Sequence, residues 1–173
     1  MNKKSILFIL PSSHFNDTEF SVIKKALEDF GIKIFIASDS NTLCISNAGR
    51  KVKADINFLN IHEKNFSGIV FIGGDGARAY WNNKHLHKIA DKFNSAGKII
   101  AAICSAPVIL AKAGILNGIP AACYFEDKME LIKSGIEFVD TPVVVRNNII
   151  TASEPSSSLN FAEAIISLII RHE

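Results

Sequence analysis

The sequence is poor in the features that mark disulfide frameworks, membrane spans and nucleic-acid binders. Its 173 residues hold only three cysteines, Cys44, Cys104 and Cys123, with no C-x-x-C pair. An odd, unpatterned set reads as the reduced thiols of an intracellular protein and argues against zinc. No apolar run approaches the roughly 18 residues of a bilayer span. The apolar stretch Ile6 to Leu10, preceded by Lys3 and Lys4, is cut by Pro11 below the length of a signal-peptide core. A dominant charge is lacking too: nineteen Lys and Arg against seventeen Asp and Glu leave +2, without basic clusters. Neither nucleic acid nor a membrane is expected as a partner. Internal repeats, low-complexity stretches and dividing linkers are also missing, so one domain over 1–173 and a cytoplasmic location are expected.

What is present is core material, 48% apolar against 21% charged, arranged so that short aliphatic runs alternate with segments of helical period. That βαβ rhythm predicts a parallel sheet covered on both faces. Ser5 to Leu10, Ile32 to Ala37, Gly68 to Ile72 and Lys98 to Ile103 read as strands, nearly all apolar as doubly buried strands are. Phe20, Ile23, Leu27 and Phe30 mark a helix that stops at Gly31. Leu86, Ile89, Ala90 and Phe93 mark a second, and Ala106 to Ala113 a third. Polar punctuation from residue 38 to 67, including Ser-Asp-Ser-Asn at 38 to 41, suggests a small β-excursion. Short strands are expected near Pro120 to Cys123, Pro142 to Val145 and Ile149 to Thr151, around a helical Lys128 to Lys133. A final helix, Ser158 to Ile170, is expected to bury Leu159, Ala162, Ile166 and Ile169.

In open parallel sheets the functional crevice lies beyond the carboxyl ends of the strands. Three such ends carry unusual residues. Ala102-Ile103-Cys104-Ser105-Ala106 sets a cysteine between strand and helix with small residues two positions to either side, the pattern of a nucleophile elbow. A helix N-terminus and unpaired amides there would favour thiolate. Cys44 and Cys123 lack that context and read as small buried hydrophobes. Gly73-Gly74-Asp75-Gly76 lacks the Lys-Ser/Thr of a P-loop and the full G-x-G-x-x-G, so its backbone amides are better read as oxyanion donors beside that of Ser105. Glu19 closes Asn16-Asp17-Thr18-Glu19, either as a capping box or as a carboxylate aimed at Cys104. His14 shares that loop and is the one candidate imidazole, since His62, His85, His87 and His172 lie away from strand ends and read as solvated.

Together these residues resemble the ThiJ/PfpI superfamily, over Ser5 to Glu19, Ile69 to Gly76, Lys98 to Leu116 and Pro142 to Ala162. The resemblance implies a flavodoxin-like three-layer α/β sandwich with a mostly parallel central sheet, of the class I glutamine amidotransferase-like kind. It also implies a homodimer, Cys104 as the reactive cysteine, Glu19 hydrogen-bonded to it, and an oxyanion pocket from Gly74 and Ser105, with Gly73 beside them. This sequence departs from the superfamily at four places: Ser105 where PfpI-type proteases carry histidine, Tyr124 near the histidine of the Parkinson-associated branch, Asn16 for a common glutamate, and Ser153-Glu154 where Arg-Gly is frequent.

The function implied is a cofactor-independent, cysteine-dependent glyoxalase or deglycase. It would act on α-oxoaldehydes or their protein adducts through Cys104 and Glu19, so its partner is a small carbonyl substrate or a glycated protein. Two alternatives stand beside it: a non-catalytic redox-sensing or chaperone-like dimer with an oxidisable Cys104, and a PfpI-type peptidase.

Overall fold

The computed structural model describes residues 4–39 and 43–172. Its strands, in chain order, are β1 (Ser5–Ile9), β2 (Ser13–Phe15), β3 (Lys33–Ser38), β4 (Leu43–Ser46), β5 (Lys51–Lys53), β6 (Ile56–Asn57), β7 (Gly68–Phe71), β8 (Ile99–Ile103), β9 (Val143–Arg146) and β10 (Ile149–Ala152). The helices are α1 (Asp17–Asp29), α2 (Lys84–Ser95), α3 (Pro107–Lys112), α4 (Lys128–Lys133) and α5 (Ser158–Arg171). The central sheet runs β6-β3-β1-β7-β8-β10-β9, parallel throughout except for β9 against β10. This is the flavodoxin-like α/β sandwich with a mostly parallel sheet.

Successive side chains of a strand point to opposite faces, and β1 shows why its run is apolar without alternation. Leu7 and Ile9 join the core under α2 and α3, with Ile69, Phe71, Leu86, Phe93 and Leu110. Ile6 and Phe8 join the opposite core under α1 and α5, with Phe20, Ile23, Phe161 and Ile165. Each such fully buried side chain is worth about 1.5–3 kcal/mol against exposure, so both helical layers are required.

Three local expectations change. The 120–123 segment is not a strand; Ala121 forms only an isolated bridge with Phe138, and the Ala122 amide donates to Thr151 Oγ1 at 3.0 Å. In α5 the buried face is Phe161, Ala162, Ile165, Leu168 and Ile169, whereas Leu159 is 52% exposed. Apolar residues surround that helix, so periodicity alone does not choose its inner side. The loop after β1 contains β2, which pairs with β4 and, through it, β5 in a second small sheet. The β-excursion is therefore β4, β5 and β6, while 40 and 41 of the polar punctuation lie outside the described residues.

Candidate active site

Strands β1, β7 and β8 are neighbours in the sheet, so the segments leaving their carboxyl ends converge. That adjacency brings Glu19, Gly73-Gly74 and Cys104 to one place. Cys104 has φ +62, a left-handed conformation that costs a residue with Cβ about 1–2 kcal/mol. The neighbouring backbone holds it there: its amide donates to Ala152 O at 2.9 Å and its carbonyl accepts from the Tyr124 amide at 2.8 Å. Ala102 and Ala106 are both fully buried, which explains the small flanks. Pro107 opens α3, where its missing N–H is harmless. The elbow is fixed further by Trp81, whose indole Nε1 donates to Ser105 O at 2.8 Å.

Glu19 answers to both of its readings. Its backbone amide is capped by Asn16 Oδ1 at 3.0 Å, but its side chain does not fold back. Instead Oε2 accepts from the Gly73 amide at 2.8 Å, while Gly73 O accepts from the Asn16 amide at 3.0 Å. The half-box thus docks α1 onto the glycine turn. A Cβ on Gly73 would sit 2.6 Å from Ile103 O, 2.8 Å from Cys104 Cβ and 2.9 Å from Glu19 Oε2, so only glycine allows this approach. Gly74, at φ +104, then turns the chain away.

The electrostatics of the pair depart from the thiolate expectation. Glu19 is fully buried, and burial pushes its carboxyl up to about 8 against the opposing pull of the Gly73 amide and the Cys104 thiol. Burial also pushes the Cys104 thiol well up, helped by the charge of Glu19 and by its hydrogen bond, against the Gly74 amide and the Ser105 hydroxyl. Helix α3 is only six residues long, too little dipole to overcome desolvation. Two adjacent acids in a dry site cannot both ionise, so at neutral pH the proton stays on Glu19. Both contributions of ionised Glu19 to the thiol then vanish, and the protonated carboxyl becomes a donor beside the sulfur. Glu19 Oε1 is buried and has no partner of hydrogen-bond geometry among the described residues, although the carboxyl lies against the thiol closely enough for each to shift the other.

Above the pair opens a cavity of about 310 Å³ lined by Cys104, Ser105, Gly74, Asn16, Tyr124 and Arg78, among others. Glu19 and Gly73 lie beneath it. The His14 imidazole is not in the lining; His14 sits in β2, exposed, at φ +53. Among the described residues no histidine lines this cavity. Contrary to expectation, His87 is buried, its Nε2 2.8 Å from Trp81 O, and His85 Nε2 lies 3.0 Å from Phe58 O. Arg78 was not legible as a site residue, since it sits in a short 3-10 segment with no motif of its own. Its Nε and Nη2 reach Asp127 at 3.1 and 3.3 Å, and its guanidinium lies 5.9 Å from the Tyr124 ring. No group of three or more His, Cys, Asp or Glu among the described residues is placed to hold a metal.

Exposure ranks the three thiols: Cys104 is 6% exposed, Cys123 1% and Cys44 0%. Mild peroxide followed by peptide mass mapping is expected to add oxygen at Cys104 first. Oxidation of Cys44 or Cys123 ahead of it would contradict the assignment of Cys104 as the reactive thiol.

The profile of the DJ-1/PfpI family matches residues 4–168. A deglycase of Pyrococcus horikoshii is 30% identical over 95% of this chain and 98% of its own length. A glutathione-independent glyoxalase of Caenorhabditis elegans is 24% identical over 95% of this chain and 88% of its own. The crystal structure of a ThiJ/PfpI domain protein from Brachyspira murdochii superposes with a TM-score of 0.95 at 30% identity, covering 98% of this chain and 99% of the other. Sequence along almost the whole chain and backbone geometry thus agree on one relationship, and the chain belongs to the DJ-1/PfpI family.

Proposed function

We propose that the chain is a cofactor-independent enzyme of the glyoxalase or deglycase type, with Cys104 as nucleophile and Glu19 as proton carrier. The observation that carries this is a protonatable carboxyl, fully buried, set against a cysteine at a strained elbow. The two relatives named deglycase and glyoxalase support the same class. The Cys104 thiol adds to the aldehyde carbon of an α-oxoaldehyde, one Glu19 oxygen taking the thiol proton as the other gives its own to the new alkoxide. The same relay takes the proton on that carbon while protonating the neighbouring carbonyl oxygen, which gives an enediol. It then returns a proton to the neighbouring carbon as the first hydroxyl gives up its own, leaving a thioester that water hydrolyses to a 2-hydroxy acid and the free thiol. The Gly74 amide, which already acts on the sulfur, and the Ser105 amide, which has no acceptor among the described residues, supply donors for the oxyanion. The cytoplasm is the compartment that three unpaired thiols fit.

Methylglyoxal turnover is the test. Cys104→Ser is expected to abolish it, whereas His14→Ala is expected to keep it within about threefold, because a general base contributes about 10² to 10⁴-fold and this imidazole lies outside the cavity lining. Undiminished turnover in Cys104→Ser would sink the proposal; a hundredfold loss in His14→Ala would put the imidazole into the mechanism. The lack of a lining histidine favours a second reading, in which Cys104 is oxidised to sulfinate without turnover. Wild-type protein that oxidises at Cys104 but leaves methylglyoxal untouched would establish that reading.

A further inference from the structure

The cavity over Cys104 is lined by one cationic side chain, Arg78, and two carboxylates, Asp75 and Glu126, among the described residues. The guanidinium is already engaged at each of its three nitrogens. Nε and Nη2 donate to Asp127, which is 6% exposed and holds Arg78 from behind, and Nη1 donates to Asp75. Arg50 and Lys128 are not among the lining residues, and the charge of Arg50 is paired with Asp17 at 2.6 Å. One positive charge against two negative ones leaves the cavity wall negative by one, and Asp127 behind Arg78 adds a second negative charge. An anion entering would meet that field without a free guanidinium to bind it as a bidentate pair. A volume of about 310 Å³ is roughly 8 Å across, well inside the Debye length of dilute buffer.

We propose that this cavity selects by charge. It admits neutral or cationic carbonyl compounds, such as an oxoaldehyde or its adduct on an amine-bearing side chain. It turns away anionic ones, such as 2-oxo acids and phosphorylated aldehydes. Asp75 and Glu126 are the specificity-determining residues. The carbonyl chemistry rests on the function proposed above, but the charge selectivity acts on any reagent approaching the thiol.

Two alkylating agents of nearly equal size test it without turnover. Iodoacetamide is neutral and iodoacetate anionic, and peptide mass mapping isolates the rate at Cys104. At about 0.01 M salt the amide-to-acetate rate ratio at Cys104 is expected to exceed that of 2-mercaptoethanol by about tenfold or more, and to collapse toward it at about 1 M salt. Glu126→Gln is expected to lower the low-salt ratio at least about threefold. A wild-type ratio within about twofold of the free thiol's at low salt overturns the proposal, and the salt series needs no variant to fold. A second arm compares methylglyoxal with 4,5-dioxovalerate, an anionic α-oxoaldehyde. Turnover of methylglyoxal at a kcat/KM about a hundredfold higher supports the selectivity, and equal turnover of both sinks it while leaving the reaction class intact. Turnover of neither, with the alkylation ratio high, sinks the reaction class and leaves the selectivity standing.

Discussion

Glu19→Gln is expected to flatten the pH dependence of stability between about pH 5 and 8 and to lower the thiol pKa of Cys104. The folded carboxyl titrates near 8 against an ordinary 4.5. Between those values the native protein holds a proton that the unfolded chain has released, so stability is full below about pH 4.5 and is lost as pH rises through about 8. The displacement from 4.5 to about 8 bounds the loss at about 5 kcal/mol. The thiol, pushed above its ordinary 9.0, is protonated in both states across this window and adds no slope. Urea unfolding at several pH values reads the effect directly. A wild-type profile that stays level from pH 5 to 8 would show that Glu19 is ionised in the fold.

The thiol response follows from the order of the two titrations. The thiol, held well above its ordinary 9.0, loses its proton only after the Glu19 carboxyl has titrated near 8, so it ionises beside a negative charge. Glutamine removes that charge, and the thiol pKa falls by more than about half a unit. A rise would show that Glu19 keeps its proton and donates it to the thiolate. The pH profile of Cys104 alkylation separates the two. Turnover should fall by about 10² to 10⁴-fold, the usual contribution of a positioned proton carrier.

Gly76→Ala is expected to produce the largest loss of stability, at least about 3 kcal/mol, or roughly 6–12 °C in Tm. A Cβ there would lie 1.8 Å from Ser13 O and 3.1 Å from Pro11 Cβ. The obstacle is backbone, so β2 and the segment leading to Asn16 must move, taking the cap of α1 and the Glu19 carboxyl with them. Gly31→Ala is the control. It has φ +87 and nothing within 4 Å of a new Cβ, so it bears only the left-handed penalty of about 1–2 kcal/mol. Thermal melts of the two variants should differ by several degrees, and equal Tm losses would show that β2 yields to the alanine.

The elements of the main sheet were legible because their signals are local. Continuous apolar runs marked β1, β7 and β8, and three-to-four spacing marked α1 and α2. The elbow at Cys104 was legible for a related reason, since the small flanks and the proline that the turn requires lie within five residues of it. The hairpin of β9 and β10 turns at Asn147, φ +53, where asparagine tolerates the left-handed region. Strand β2 was not legible, because three polar or mixed residues become a strand only where β4 lies alongside.

The sequence by itself determined the parallel α/β class, the strand ends that meet at the candidate site and the residues placed there, since each depends on patterns a few residues long. Tertiary structure decided the rest. Strand order brought Glu19 to Cys104 across 85 positions of chain, and Gly73 divided the capping box so that only its backbone half forms. Desolvation, a property of everything packed around the pair, overrode the thiolate that the local motif predicts. The same packing left His14 outside the cavity lining and set Arg78 in it with its charge already taken by Asp127, contacts between segments that no local spacing encodes.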